Sequence, residues 1–581
     1  MIKRQSGSKT RRTAKILIAL GLGCTVSVLI AELRGEPPKV QIKFQRGSSP
    51  EQAPPPPKSP PKSSPKSSPK SPATSSAEPN QQKPPLDGKL AADISRSSAG
   101  QTPSKLDTSV PLTVAMDEEK NQQIAPDWKD PKVVFFVTGK QLGYIEPCGC
   151  TGLENQKGGL NRRDTLLALI KKRGWNVVAI DGGGQVRRKG KQSDIKFNWS
   201  ATAFNLLEYQ ASTFGEDDLN LTWDSLVLSM IDNSGNKNGL FLSSNVSVIP
   251  DYDTSHKVIV VDNKRIGITG VLGDENAKKV DNDNIKIAGA IASLRATAEK
   301  LKEAKCDYMV LISHASLEET RAMAQAVPEF SLVVTSGGYG EPTFRPEWIE
   351  GTKSQMVQVG VKGMYVGLFG LFDDPKEPFR YQRIALSSQF EDSARVTELF
   401  GKYQDELKTI GMEGLGTRPM SHPSTRDFVG TEKCGECHTT AYDIWKNTPH
   451  AHATDSIVEP PERSMARHFD PECLSCHVTG WNPQSFYPYR TGYESLTGTP
   501  HMVGSGCENC HGPGSQHTAA ELGEIEASAE LKEKLREDMR LPLEKASDKC
   551  LECHDIDNSP DFHKPDAFDL YWEKVKHYGK D

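Results

Sequence analysis

The sequence predicts a multidomain chain: an apolar N-terminal segment, a disordered linker, an α/β sandwich, and a mostly helical, loop-rich C-terminal domain. Three observations carry that expectation. From residue 131 to about 386, β-branched apolar runs alternate with helix-period stretches, the pattern of sheets covered by helices. Residues 35–130 are rich in Pro, Ser, Lys and Gln and too polar to bury a core. The last quarter holds four Cys-x-x-Cys-His motifs. With 71 Lys+Arg against 76 Asp+Glu, a formal net charge of -5, and no basic aromatic groove, the composition argues against nucleic acid as a partner.

The N-terminal segment, 1–34, places Lys3, Arg4, Lys9, Arg11, Arg12 and Lys15 ahead of an apolar run from Ile16 to Ala31. That is the layout of a secretory signal or an N-terminal membrane anchor. The run is short against the roughly 17–25 residues of a spanning helix, yet no Ala-x-Ala cleavage site follows, so an uncleaved anchor is the preferred expectation. Cys24 follows Leu22-Gly23 as in a lipoprotein site, but Gly21 stands where a larger aliphatic residue is needed. The linker, 35–130, repeats Pro-Lys-Ser-Ser and spaces Lys58, Lys62, Lys66 and Lys70 four apart. As a coil it would span about 50 Å root-mean-square, enough to act as a tether.

In the α/β domain, 131–388, strands are expected at Val133 to Val137, Val177 to Ile180, Val258 to Val261, Ile266 to Leu272, Tyr308 to Ile312 and Leu332 to Val334. Helical patterns lie between them, as in Asn161 to Lys172, Ala201 to Tyr209, Ile291 to Ala304 and Leu317 to Ala326. Glycine-rich turns follow several strands: Thr138 to Gly143, Asp181 to Gly184, Phe214 to Asp218, Ser313 to Ala315 and Ser336 to Gly340. Functional sites of α/β sheets gather at such ends.

The order of these turns, with Gly158-Gly-Leu-Asn-Arg-Arg163, Leu242-Ser-Ser-Asn-Val246 and Lys264-Arg-Ile-Gly-Ile-Thr-Gly270, resembles the calcineurin-like metallophosphoesterases of the exported 5'-nucleotidase branch. The resemblance implies a binuclear metal site built from Asp and His at the turns. This chain departs from it: Lys140 and Leu142 stand at two ligand positions, Gly184 at the bridging aspartate, Glu216-Asp217 at an Asn-His pair, and Gly337-Gly-Tyr-Gly340 at a Gly-His-x-His. Only His314 remains. The expectation is a metallophosphoesterase-like domain lacking most metal ligands and inactive as a hydrolase. Lys140, Arg162, Arg163, Arg187 and Arg188, with the exposed N–H groups of the turns, are candidates for holding a small anion. Cys148-Gly-Cys150 is too tight to close on itself without strain. Pairing of one thiol with Cys306 is sterically easier, and the odd thiol could stay reduced, bind a soft metal or pair between molecules.

Residues 389–428 connect the domains, with Val396, Leu399, Phe400, Tyr403, Leu407 and Ile410 on one helical face.

The C-terminal domain, 429–581, contains Cys434-x-x-Cys437-His438, Cys473-x-x-Cys476-His477, Cys507-x-x-Cys510-His511 and Cys550-x-x-Cys553-His554. Two thiols form thioethers to haem vinyl groups, and the adjacent histidine supplies the proximal iron ligand, so each motif reads as a covalent haem c site. Structural zinc would not require a histidine after every pair. Twelve of the 14 histidines fall between His422 and His577, enough for imidazole on both faces of each iron. Val429-Gly-Thr-Glu-Lys-Cys434, Trp445 with Pro449-His-Ala-His-Ala453, Cys507-Glu-Asn-Cys-His-Gly-Pro-Gly-Ser-Gln-His517 and Tyr571-Trp572 leading to His577 resemble the multihaem family typified by cytochrome c-554. That resemblance implies a tetrahaem cytochrome c domain with His450, His517 and His577 as distal ligands and His468 as the fourth candidate. His422, His452, His501 and His563 are expected to be bystanders, and Met465 and Met502 packing residues.

The chain is therefore expected to be exported to the periplasm or cell envelope, to carry four haem c groups and to exchange electrons with redox proteins there. Its alternatives are a multihaem enzyme with one open haem acting on a small nitrogen or sulfur species, and an active phosphoesterase.

Overall fold

The computed structural model describes residues 123–147, 156–231, 239–460, 465–556 and 558–579, and the backbone of 14–20, 24–31 and 39–46. The N-terminal apolar run is not a helix. Ala14–Leu20 pairs antiparallel with Cys24–Ala31, Ala14 opposite Ile30, and Cys24–Ala31 pairs with Lys39–Arg46. Gly21 and Gly23 divide the run into pieces too short to span a bilayer as a helix, and Ile18, Thr25, Val26, Val28 and Ile30 favour strand. Among the described residues no helix is long and apolar enough to cross a membrane. Most of the expected linker, and Cys148-Gly-Cys150, lie outside the described residues. The linker's last residues dock: Trp128 stacks on Trp175 with ring centroids 5.9 Å apart.

Two sheets form the middle domain. One has the order Phe379–Ala385, Tyr365–Leu371, Val133–Thr138, Val177–Asp181, Ala211–Ser212. The other runs Glu347–Trp348, Gln355–Gln358, Leu332–Thr335, Tyr308–His314, Lys264–Leu272, His256–Val261. Their central strands pair in parallel and are buried along most of their length, which explains why they read as continuous β-branched runs. Side chains of Val133–Thr138 alternate strictly. Val133, Phe135 and Val137 meet Ile266, Ile268, Val310 and Ile312 between the sheets. Val134 and Phe136 turn to the helices Leu160–Lys172 and Lys191–Leu206. The helices Ala290–Glu303 and Leu317–Ala326 cover the far face of the second sheet, giving a four-layer α/β/β/α sandwich.

The helix Ala394–Gly414, kinked at Gly411, buries Val396, Leu399, Phe400, Tyr403 and Leu407 in the same core as Phe136 and Phe204. It is a structural layer of the α/β domain as well as a connector. Beyond it the chain forms short helices, 3-10 turns and a two-stranded hairpin, Trp481–Asn482 with Tyr487–Pro488. Its main cluster of buried apolar residues is small: Phe428, Ile457, Leu474, Val478, Trp481, Tyr489, Tyr493 and Met502. A domain of this length with so little apolar protein of its own needs a further hydrophobic component to be stable.

Candidate functional site

Short helical turns carry the cysteine-histidine motifs. Thr431–Gly435 holds Cys434, Pro471–His477 and Cys507–His511 hold the second and third motifs, and Leu543–Leu551 holds Cys550. His477 donates its Nδ1 proton to the Ala453 carbonyl and His511 to the Met539 carbonyl, both at 2.7 Å. A carbonyl only accepts, so the proton sits on Nδ1 and the Nε2 lone pair is available to a metal. His577 Nδ1 donates likewise to Val575 O at 2.9 Å.

The fold then opposes histidines that lie far apart in sequence. Ring centroids are 6.3 Å apart for His438 and His517, 6.0 Å for His554 and His450, and 5.6 Å for His511 and His577. Two metal–nitrogen bonds of about 2 Å each, with about 1 Å from each nitrogen to its ring centre, place two axial imidazoles about 6 Å apart. The residues therefore fit haem ligated on both faces. Burial holds the pKa of His450, His511, His517 and His554 below the ordinary imidazole value, that of His554 at about 4, which favours the neutral form that a metal binds.

His477 is the proximal histidine that none of these three pairs uses. His468 packs against Phe469, with centroids 3.9 Å apart, and its buried Nδ1 has no hydrogen-bond partner. His422 lies edge-on to Tyr489, His452 sits at the surface near Asp455, and His563 donates to the His554 carbonyl at 2.9 Å. Met502 is buried in the apolar cluster.

The thiols show which motifs are neighbours. Cys434 is a near neighbour of Cys507, Cys476 of Cys553, and Cys510 of Cys550. The first motif thus adjoins the third, the third the fourth, and the fourth the second. Glu508, inside the third motif and 2 % exposed, locks the first pairing: its carboxylate accepts from Val429 N, Gly430 N and Gly514 N at 2.8–3.0 Å. Sequence reasoning missed this clamp because its partners Val429 and Gly430 are about 80 residues away.

In the α/β domain, the strand-end turns converge on a cleft whose groups are committed to one another. His314 Nδ1 bonds Gly182 O at 2.9 Å and its Nε2 bonds Glu216 Oε2 at 3.0 Å. Asp181, fully buried, accepts from Thr138 Oγ1, Gly183 N and Gln185 Nε2. Asp218 accepts from the backbone N–H groups of Gly184, Gln185, Val186 and Gly215. Lys140 reaches Gly338 O at 3.0 Å. Gly184 has φ +75, and a Cβ there would lie 3.0 Å from His314 Cε1, so the family's bridging carboxylate has no room. Among the described residues no group of three His, Cys, Asp or Glu side chains is arranged to hold a metal ion. The residues at these turns do not fit a binuclear centre. Arg162 is committed to the Gln156 and Leu386 carbonyls, and Arg163, completely buried, bonds Gln141 through Nη2 and stands 4.0 Å from Asp181, with its Nε and Nη1 buried and without a hydrogen bond.

The two domains meet at the second haem motif. Asp470 caps its helix by accepting from Glu472 N at 2.9 Å and is itself held by Gln192 at 2.7 Å. Glu472 bonds Lys196 at 2.6 Å and Arg188 at 3.3 Å, and Arg467 bonds Glu146 at 2.6 Å. No local sequence signal marks these pairs, whose members are about 280 to 320 residues apart.

Residues 433–512 match the family described as cytochrome c554 and c-prime. Over 109 residues the chain is 33% identical to cytochrome c-554 of Nitrosomonas europaea, a stretch covering 17% of this chain and 43% of that protein. Its middle is 24% identical over 313 residues to an apyrase of Aedes albopictus, covering 48% of this chain and 55% of the apyrase. The fold is similar to that of a 5'-nucleotidase precursor from Thermus thermophilus, at 16% identity and a TM-score of 0.41, over 56% of this chain and 66% of that one. The chain spans about half the length of the curated relatives it matches. Part of its C-terminal region is thus similar to the cytochrome c-554 family, which implies covalently bound haem c, and the rest of the similarity is to apyrases.

Proposed function

We propose that this protein is an exported tetrahaem electron carrier whose α/β domain has given up hydrolysis and serves as a rigid mount for the haem domain. The observation that carries the reading is the set of three histidine pairs with centroids 5.6–6.3 Å apart, each joining a motif histidine to one outside the motifs. Haem bound at the motifs would supply one-electron centres. The chain's own contribution is to anchor each group through Cys434 and Cys437, Cys473 and Cys476, Cys507 and Cys510, or Cys550 and Cys553. The Nδ1 hydrogen bonds orient His477, His511 and His577, and His517, His450 and His577 would supply the second imidazole at three of the groups. The thiol contacts order the relay as first, third, fourth, second motif. The basic and apolar N-terminus supports export, and covalent haem attachment outside the cytoplasm agrees with it.

Pyridine haemochromogen analysis should give four haems per chain, and EPR of the oxidised protein should show at least three low-spin centres that ignore carbon monoxide on reduction. A count of one or two, or gas binding at every haem, would defeat the reading. The placement of His468 on Phe469 supports a second reading, in which the haem at Cys473 and Cys476 is open and takes a small ligand. A high-spin signal near one haem in four would favour it. The partners are redox proteins of the cell envelope.

A further inference from the structure

The helix Pro471–His477, which holds Cys473, Cys476 and His477, is gripped at its first turn by side chains of the α/β domain. Asp470 caps it through Glu472 N, and Gln192 Nε2 donates to Asp470 Oδ1 at 2.7 Å and to the Tyr403 hydroxyl at 3.1 Å. Tyr403, 2% exposed, lies 3.4 Å from the other Asp470 oxygen. Lys196 Nζ donates to Glu472 Oε2 at 2.6 Å and Arg188 Nη1 to Oε1 at 3.3 Å. The Arg188 guanidinium also lies over the Phe486 ring, 3.9 Å from its centroid. These partners come from three elements: the helix Lys191–Leu206, the chain that follows the strand Val177–Asp181, and the helix Ala394–Gly414. The neutral contacts of Gln192 and Tyr403 already seat the helix. The Lys196 pair is different, because its ammonium lies on a side chain only 7% exposed. An ion pair so enclosed contributes little net stability, since desolvation offsets most of the attraction. It does fix a charge that solvent ions screen poorly, and it fixes it on Glu472, the residue directly before Cys473.

We propose that Lys196 tunes the redox potential of the haem held at Cys473 and Cys476. Reduction adds one electron, so a carboxylate beside the haem opposes it and an ammonium favours it. Lys196 acts through Glu472: by offsetting that carboxylate it keeps the potential above the value that Glu472 alone would impose. It is a positioning residue supplied by the α/β domain, which thereby sets the electron affinity of one member of the relay as well as carrying it. This role rests on the cytochrome reading, since it needs haem at the second motif.

The test is redox titration of the full-length, haem-loaded protein and its variants, with haem counts and EPR spectra taken on the same samples. Lys196→Met should lower the midpoint potential of one haem and Glu472→Gln should raise it, each by about threefold or more in the one-electron equilibrium, ~28 mV. Lys196→Arg should keep the original potential, and the double variant Lys196→Met, Glu472→Gln should fall between the two single ones. A merely structural pair would not move the potential in opposite directions. A smaller shift in either single variant, or shifts of one sign in both, overturns the proposal. So does a shift that arrives with a changed spin state, because the motif helix would then have moved. Peptide mapping by mass spectrometry separates this outcome from failure of the underlying reading. A chain without haem at Cys473 and Cys476 defeats the tetrahaem reading and the tuning with it, whereas four haems with unmoved potentials defeat the tuning alone.

Discussion

His577 is exposed, yet it faces His511, and its Nδ1 bonds the Val575 carbonyl. His577→Ala should convert one low-spin haem to high spin and create one carbon monoxide site while leaving the haem count unchanged, as EPR and gas titration would show. Glu216 and His314 make a different prediction. Despite burial, which acts the other way, their mutual hydrogen bond lowers the Glu216 pKa to about 2 from its ordinary 4.5 and raises that of His314 above 6.5. The depressed carboxylate adds stability above pH 4.5 that is lost as pH falls toward 2. The raised imidazole adds stability below pH 6.5 that is lost as pH rises through its folded pKa. The pair should contribute most between those two ordinary values, and Glu216→Gln should flatten the thermal stability profile on both sides.

Among the elements, the helix Ala394–Gly414 and the helix Pro471–His477, which holds the second motif, bind the halves of the molecule together. Leu407, completely buried, lies in the core shared with Phe204, so Leu407→Ala should cost roughly 2–4 kcal/mol in denaturant unfolding. Lys196→Ala would leave the Glu472 carboxylate to the half-exposed Arg188, at a cost of roughly 1–3 kcal/mol. Its distinctive sign should be a split of one unfolding transition, followed by far-UV circular dichroism for the α/β domain and by haem absorbance for the cytochrome domain.

Taken as a whole, the molecule is an α/β/β/α sandwich whose cleft is filled by its own hydrogen bonds, joined to a C-terminal region that holds the four Cys-x-x-Cys-His motifs. Assays with manganese or zinc and a nucleoside monophosphate should give no hydrolysis above background, and turnover at ordinary nucleotidase rates would refute that view. A fragment ending at residue 388 should be unstable or aggregate, because it loses Val396, Phe400, Tyr403 and Leu407 from its core, whereas one ending after Leu415 should fold. Soluble yield and melting temperature of the two fragments decide the matter.

The haem motifs were legible because covalent attachment needs two thiols and a histidine within five residues, and the strands because burial on both faces demands unbroken β-branched runs. The N-terminal run pairs as strands where a helix was expected, since hydropathy alone does not distinguish a helix from short strands. Which histidine faces which, why Glu508 matters, and how Glu472 draws Arg188 and Lys196 to the second motif depended on chain segments packing across 60 to 280 residues or more. Chemistry confined to one turn of chain is written locally. Charge balance and axial pairing are properties of distance in space, and they exist only once the layers have closed.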